Sequence, residues 1–420
     1  MNGNASSMKI VNLIILLIFG ACVYAHAQNK ISGRVTDATT GEPVAFANVF
    51  FANTTVGTTT NAEGYYSLSG FPPGKYDLTF SFVGYNPLQR AVAFTQNQEI
   101  TIDVKLEQES KVLSEVLVKP DTLHWRRNYE DFKRLFLGTS SLAQKSVIEN
   151  PRDIHLYFDP STKLLVAHAK KPIIIVNPAT GYRIQYYLYH FEYNASTTLF
   201  TIYGLPQFEE LIPKSKREEN QWKKTRAQIY EGSLLHFMRS WLKQQWVEEG
   251  FTVARLYRVP NRERPSDEFL AKKISALRKQ AMQEGKSFKL TMNSKGIVET
   301  KGDSLAYYLQ LRSLPKEKDS VVREVLTGGE FTDSLHRESK NFSGLLTITF
   351  REREEPLYAM QMGRADKIKK QQTIINLLKP IKLYPNGYYE DVRDVFLEQY
   401  WSWSEKISTL LPLDYWPPKK

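Results

Sequence analysis

The stretch that decides the fold is "ISGRVTDATTGEPVAFANVFFANTTVGTTTNAEGYYSLSGFPPGKYDLTFSFVGY", residues 31–85. Near its end, Tyr76, Leu78 and Phe80 are separated by single polar residues. Alternation of this kind buries one face of a β-strand and leaves the other face in water. Residues 100–106 repeat the pattern with Ile, Val and Leu. We therefore predict β-strands in both segments.

Turn signals interrupt the alternation at residues 40–43, 61–64 and 71–74. Each contains a Gly, which supplies a positive φ, and two contain Pro, which fixes the entry to the turn. About seven short strands at this spacing predict a two-sheet β-sandwich over residues 28–107.

Several short pieces of this stretch resemble the carboxypeptidase-like regulatory domain. They are Gly33-x-Val35-x-Asp37, Gly41-Glu42-Pro43-Val44, Ala47-Asn48-Val49, Glu63-Gly64-Tyr65-Tyr66 and Val83-Gly84-Tyr85. The resemblance covers nearly all of residues 29–107 and implies a transthyretin-like (prealbumin-type) β-sandwich. In Gram-negative bacteria this domain often heads outer-membrane TonB-dependent transporters, and it also heads other exported proteins of unknown role.

The whole chain is similar to exported bacterial proteins that contain this domain followed by a C-terminal domain of unknown function. The pieces that carry this similarity are "YEGSLLHFMRSW", "LYPNGYYED" and "YWSWSEKISTLLPLDYWP". That family implies no activity. The shared domain accompanies metallocarboxypeptidases and is not their catalytic part.

The histidines do not form a zinc-peptidase pattern. Such a site needs two ligands close together, as in His-x-x-Glu or His-Glu-x-x-His. After residue 27, no His is followed three residues later by Glu, and no two are spaced by four. The sequence therefore predicts no metal site, no cofactor and no carboxypeptidase activity.

The N-terminus is typical of a secretory signal. Lys9 precedes an apolar run at residues 10–22 that is too short to span a bilayer, and Ala25-His26-Ala27 forms a cleavage pattern. We predict a signal peptide over residues 1–27 and an exported protein in the periplasm or at the outer membrane. Cys22, in a loose lipoprotein box, offers lipid anchoring as an alternative. It is less favoured because Phe19 suits such a box poorly.

The net charge of +11 arises after residue 110. In an exported protein, this basic excess argues against nucleic acid and favours acidic glycans or peripheral contact with an anionic membrane surface. The alternative is an ordinary solvated surface without a partner.

The remainder predicts a linker at residues 108–122 and an α+β domain at residues 123–420, so the fold class is β-rich and multidomain. We predict strands at 153–203, helices at about 214–249 and 266–284, strands at 344–388, and a terminal helix at 402–411. Ser402 and Glu405 resemble a capping box for the last helix.

An aromatic row is predicted on one strand face at Tyr187, Tyr189, Phe191 and Tyr193. Such a row can stack on sugars, but it more often packs across strands.

Five candidate binding residues lie in the predicted helix pair. Trp222, Arg226 and Tyr230 are spaced by four and share one helix face, and His236 and Arg239 are predicted on the polar face of the next helix. Gly232 separates the two helices, and Ser233 is predicted to cap the second.

These patterns predict a noncatalytic cell-envelope protein that binds an envelope protein or a polysaccharide. The alternative is a hydrolase built from scattered residues, with Ser233 and His236 or His190 and Glu192 as candidates. No Gly-x-Ser-x-Gly elbow surrounds Ser233.

Overall fold

The computed structural model describes residues 29–109, 124–284, 304–325, 332–333, 338–339, 344–390 and 392–418. The predicted signal peptide, Cys22 and most of the predicted linker lie outside these residues. Among the described residues, the helices are all too short or too polar to cross a membrane.

Residues 29–109, the N-terminal sandwich, form two four-stranded sheets. One sheet has β1 at its centre, paired with β4 in antiparallel and with β7 and β8 in parallel orientation. The other has the order β3-β2-β5-β6. The strands are β1 Asn29–Asp37, β2 Asn48–Phe51, β3 Gly57–Thr59, β4 Tyr65–Phe71, β5 Gly74–Ser81, β6 Leu88–Phe94, β7 Glu99–Thr101 and β8 Val104–Leu106. The predicted two-sheet β-sandwich is confirmed.

Strand β5 shows how the alternating pattern builds the core. Tyr76, Leu78 and Phe80 are fully buried between the two sheets. The opposite face is not open to water as predicted, since Thr79 is also fully buried and Asp77 is half-buried. The reason is tertiary, because residues far along the chain pack on that face.

The C-terminal part, residues 124–418, begins with helix α1, Trp125–Leu137, which packs on a six-stranded sheet. The sheet order is β10-β11-β13-β12-β9, and β14 pairs with β13. Its strands are β9 Val147–Ile148, β10 Ile154–Asp159, β11 Leu164–Ala169, β12 Ile173–Asn177, β13 Tyr182–Asn194 and β14 Phe200–Glu210. The predicted strand region therefore extends beyond residue 203 to residue 210.

A second sheet, of order β16-β15-β19-β20-β21, packs against helix α3. The strands are β15 Phe251–Pro260, β16 Glu317–Val325, β19 Gly344–Arg353, β20 Lys370–Leu377 and β21 Val395–Gln399, and β17 Thr332–Asp333 pairs with β18 Glu338–Ser339. The helices after α1 are α2 Lys216–Tyr230, α3 Leu234–Leu242, α4 Asp267–Gln283, α5 Ser304–Ser313, α6 Pro356–Gln361 and α7 Tyr400–Ser404. Short 3₁₀ turns are Ala143–Lys145, Pro151–Asp153, Val392–Asp394 and Ile407–Thr409.

Several element predictions in the C-terminal part are wrong. Helix α3 ends at Leu242 rather than near Gly250, because Gln244 takes a left-handed conformation. Residues 356–362, predicted as a strand, instead contain helix α6, Pro356–Gln361, with Pro at its first position, where the missing N–H has no cost. The terminal helix 402–411 is replaced by α7 and a 3₁₀ turn, so Ser402 lies inside a helix and is not its cap.

The aromatic row on β13 is split between two faces. A β-bulge between Leu188 and His190 adds one residue to the strand and reverses the alternation beyond it. Tyr187 and Tyr189 therefore lie on the outer face, whereas Phe191 is fully buried and Tyr193 packs against the α1 core. The prediction of one continuous aromatic face was wrong for this reason.

Candidate functional site

The N-terminal sandwich joins the C-terminal part through a backbone contact at the edge of β14. The amide of Asn53 donates to the carbonyl of Pro206 at 2.6 Å, and the amide of Phe208 donates to the carbonyl of Thr54 at 2.9 Å. Residues 53–54 thus run parallel to β14 and cover its free edge.

The outer face of β2 packs on the same region. The Asn48 amide donates to the Gln207 side chain at 2.6 Å and to the Tyr187 hydroxyl at 3.2 Å. Phe50 stacks on Tyr187 with ring centroids 5.3 Å apart. A β-carbon on Gly57 would lie 2.7 Å from the Gln207 amide nitrogen, so a larger residue there would displace the Gln207 side chain from Asn48.

A turn at residues 384–390 completes the junction. Asn386 is fully buried, and its amide donates to the carbonyl of Lys75 at 2.8 Å. The Lys75 ammonium pairs with Glu390 at 2.6 Å. A β-carbon on Gly74 would lie 2.5 Å from the Asn386 side chain. The prediction of a positive φ at Gly74 is wrong, since this glycine permits close packing and lies outside the left-handed region.

A cavity of about 850 Å³, the junction cavity, lies where these parts meet. This volume is within the range of small-molecule sites. Its apolar lining includes Leu235 and Met238 of α3, Leu205 of β14 and Leu410 of the C-terminal segment. Rings and polar groups from both parts of the chain complete the wall: Tyr186, Tyr203, Tyr388, Tyr389, Asn53, Asp77, Gln89, His190, Arg393 and Glu405.

Two carboxyl groups give the cavity its electrostatic character. Burial raises the pKa of Asp77, although the Tyr388 hydroxyl donates to it at 3.3 Å and Lys75 lies nearby. Burial also raises the pKa of Glu405 to about 7. The cavity therefore carries less negative charge at neutral pH than its two carboxyl groups imply.

Glu405 is held at the start of α3. Its carboxylate accepts a hydrogen bond from the backbone N–H of Leu234 at 3.0 Å, one of the first amides of that helix. The side chain also lines a second cavity of about 630 Å³, as do Ser233 and Thr409. Glu405 thus stands in the wall between two cavities.

Comparison with known families now identifies the sandwich. Residues 31–118 match the CarboxypepD_reg-like domain. This is the family predicted from the sequence motifs, and the recognition is confirmed. The CarboxypepD_reg-like domain is a regulatory, noncatalytic domain.

Individual relatives cover the chain unevenly. The TonB-dependent receptor SusC of Bacteroides thetaiotaomicron is 36% identical over 110 residues, which are 26% of this chain and 10% of the receptor. The chain thus spans about a tenth of the curated relative it matches. A Bacteroides fragilis crystal structure, described as a membrane-associated protein of unknown function, aligns over 89% of this chain and 95% of its own, with 11% identity and a TM-score of 0.17. The group B streptococcus pilus 2b backbone protein aligns over 19% of this chain and 41% of its own, with 18% identity and a TM-score of 0.17. Scores this low carry no argument about fold or function.

Of the predicted binding residues, Trp222 and Arg226 fix the turn before β13. The Trp222 indole packs on Gly181 and donates to the carbonyl of Pro178 at 2.8 Å. Arg226 stacks on Tyr182 at 3.8 Å from the ring centroid and pairs with Glu210 at 2.6 Å. Both side chains are buried in these internal contacts.

His236 and Arg239 are buried as well, so their placement on a polar helix face was wrong. The His236 Nδ1 accepts the N–H of Gly232 at 3.1 Å, which leaves Nε2 to donate to Glu249 at 3.2 Å. Burial lowers the pKa of His236 and favours this neutral form. Tyr230 stacks on the imidazole at 4.8 Å.

Arg239 anchors the turn that touches the CarboxypepD_reg-like domain. Its guanidinium donates to the carbonyl of Asn386 at 3.0 Å and to the carbonyls of Leu413 and Tyr415 at 2.8 Å each. Its cationic carbon lies 3.8 Å from the ring centroid of Trp416. The structure describes all five predicted binding residues, and none of them lines the junction cavity.

The Ser233–His236 pair is not arranged for nucleophilic catalysis. The Ser233 hydroxyl donates to the carbonyl of Tyr230 at 2.8 Å and accepts the backbone N–H of His236 at 3.1 Å, so it caps α3 as predicted. The imidazole is engaged elsewhere. His190, by contrast, lies on the exposed face of β13 and lines the junction cavity.

Sequence reasoning missed Asp77, Asn386 and Glu405. Asp77 follows the same alternation as any solvent-facing strand residue, and Glu405 resembles an ordinary capping glutamate. Residues 384–388 contain Pro-Asn-Gly, a turn signal that could have indicated an ordered loop at this position. Its partner, the face of β5, lies about 300 residues away in the sequence and carries no local signal.

Proposed function

We propose that this chain is an exported, noncatalytic envelope protein that binds a glycan in the junction cavity. The carrying observation is the composition of that cavity, which combines tyrosine rings with amide, carboxyl and guanidinium groups. Sugar rings present apolar faces to aromatic side chains and hydroxyl groups to such polar groups. The predicted signal peptide and the match to a TonB-dependent receptor support the envelope location.

Three observations support a noncatalytic role. The matched domain is regulatory. Among the described residues, no group of three or more His, Cys, Asp or Glu could hold a metal ion. The Ser233 hydroxyl is used as a helix cap rather than directed at an imidazole.

One observation favours hydrolysis as a second candidate. A carboxyl group whose pKa is near 7 is suited to general acid–base catalysis, and Glu405 meets this condition inside the junction cavity. Asp77, also with a raised pKa, lines the same cavity. Glycosidases commonly use a pair of carboxyl groups, of which one has a raised pKa and acts as the acid while the other is ionised.

The test is glycan binding by the purified mature chain and by two matched variants. Val392 lines the cavity and Val259 does not, and both are 43% exposed. We expect Val392→Trp to fill the cavity mouth and weaken binding of a retained oligosaccharide at least about tenfold. Val259→Trp should leave the dissociation constant unchanged. A glycan panel followed by calorimetry on the strongest ligand measures this effect.

Two outcomes would contradict the proposal. Retention of no glycan, together with capture of an envelope protein that Val392→Trp releases, would assign the cavity to a protein partner. Cleavage of the bound glycan, lost in Glu405→Gln, would make the chain a hydrolase.

A further inference from the structure

A row of three histidines crosses the outer face of the six-stranded sheet. His155 on β10 lies directly opposite His168 on β11. His190 on β13 lies near His168 on the other side. Burial lowers the pKa of His168, and the neighbouring imidazoles of His190 and His155 lower it further. Adjacent strands lie about 4.8 Å apart, so the imidazoles repeat across the sheet at roughly this interval. That interval is close to the length of one sugar residue in an extended glycan chain.

Exposed tyrosines flank the histidine row on the same face. Tyr157 is 37% exposed, Tyr189 is 42% exposed and Tyr203 is 38% exposed. Tyr189 and Tyr203 lie side by side, with ring centroids 5.9 Å apart. Tyr187, further along the face, is covered by Phe50 of the CarboxypepD_reg-like domain. The domain therefore covers one end of the sheet face and leaves the histidine end open.

The open face is continuous with the junction cavity. His190, Thr201 and Tyr203 belong to both, since they lie on the face and also line the cavity. A ligand seated in the cavity can therefore extend across the histidine row. A chain molecule uses both parts, whereas a compact ligand fills the cavity alone.

The charged groups on this face indicate which kind of polymer it can bind. The groups around His168 on this face are the two other imidazoles, the tyrosine hydroxyls and Glu192 on β13. Lys170 and Lys171 follow β11, and Lys171 lies 3.7 Å from the carboxylate of Asp153. Asp159 at the end of β10 bonds to Ser161 and Thr162. In the cavity wall Arg393 is a cation, whereas Asp77 and Glu405 are carboxyl groups whose raised pKa values reduce their negative charge. Burial and the two neighbouring imidazoles lower the pKa of His168, so the row gains charge only against this repulsion, and carboxylates placed on it would relieve that repulsion. The net charge of +11 also favours an acidic ligand.

We propose that the histidine row and the junction cavity form one extended site for a linear acidic polysaccharide. This inference rests on the proposed glycan binding and adds the ligand class and its path. Tyrosine rings stack on the sugar rings, and the imidazolium groups pair with successive carboxylates. A bound carboxylate favours the charged form of the imidazole beside it, so binding takes up protons and strengthens as the pH falls.

The experiment measures binding of the full mature chain to alginate, a linear polyuronate, and to dextran, which is neutral. We expect alginate to bind about three- to tenfold more tightly at pH 5.5 than at pH 7.5, and more tightly than dextran at pH 5.5. The double variant His155→Gln/His168→Gln should lose most of this pH dependence, since only His190 of the row remains. His124→Gln, an exposed histidine outside the row, is the control. Thermal unfolding of each variant verifies the fold.

The outcomes separate this inference from the proposed function. Unchanged alginate affinity in the double variant at pH 5.5, with binding lost in Val392→Trp, would overturn the histidine path and leave cavity binding intact. Equal affinity for dextran and alginate would overturn the acidic ligand class. If neither polymer binds and the glycan panel is also negative, both proposals fail together.

Discussion

At the scale of single residues, the junction contains two neighbouring side chains whose pKa values are displaced in opposite directions. Burial raises the pKa of Glu405 to about 7 and lowers the pKa of Lys406 to about 7. Glu405 faces the two cavities, while the Lys406 ammonium lies 3.6 Å from the ring centroid of Phe200. For both side chains, burial without a compensating opposite charge favours the neutral form.

Replacing Glu405 with Gln should make stability less dependent on pH. The folded pKa of about 7 exceeds the ordinary value of 4.5, so the folded chain holds a proton that the unfolded chain releases. The contribution of Glu405 to stability is present in full below about pH 4.5 and is lost as the pH rises through 7. We expect Glu405→Gln to be more stable than the parent by about 1–2 kcal/mol at pH 8, and close to it at pH 4.5.

Urea denaturation at the two pH values measures this difference. Lys406 is present in both proteins, so its own titration cancels in the comparison. Glu248→Gln, at an exposed glutamate, should show no such change. An equal stability difference between Glu405→Gln and the parent at both pH values would refute the buried-carboxyl account.

At the scale of elements, the sequence correctly predicted the strands, caps and helices that depend only on neighbouring residues. The buried face of β5, the cap at Ser233 and the helix after Ser266 follow from residue spacing alone, and the structure has all three. The bulge in β13 and helix α6 did not follow, because a bulge changes register without a mark in composition and a six-residue segment fits either period. The burial of α3 on nearly every side likewise depends on neighbours that local spacing cannot reveal.

The cap of α3 should matter more than the cap of α2, although both are serines. Ser233 is buried and bonds both the His236 amide and the Tyr230 carbonyl, whereas Ser215 is exposed and accepts only from Glu218. We expect Ser233→Ala to cost about 1–2 kcal/mol of unfolding free energy, because it leaves buried groups unpaired, and Ser215→Ala to cost less than about 1 kcal/mol. Equal losses in chemical denaturation would argue against the buried cap.

At the scale of the whole molecule, the sequence predicted the sandwich and a mixed C-terminal part but not how they meet. Apart from Phe50, the outer face of the β2–β5 sheet has the polar composition of a wetted surface, yet Asn48, Lys75 and Asp77 contact the C-terminal part there. Polar side chains that satisfy one another across a junction look like solvent-facing ones in a sequence. The junction cavity arises from this docking, so no segment of sequence contains it.

The contact of Gly74 with Asn386 tests whether the two parts unfold together. Gly74→Ala places a β-carbon against the buried Asn386 amide, and we expect it to cost about 1–3 kcal/mol. All seven tryptophans lie outside the CarboxypepD_reg-like domain, so tryptophan fluorescence reports the C-terminal part alone. If docking is cooperative, this substitution in the domain shifts the fluorescence-detected transition as well as the circular dichroism transition.

Asn386→Ala removes the obstructing atoms, so the double variant should lose less than the sum of the single losses, by at least about 0.5 kcal/mol. Additive losses, or a fluorescence transition that Gly74→Ala leaves unmoved, would mean that the two parts unfold independently and that the junction is too weak to shape a cavity.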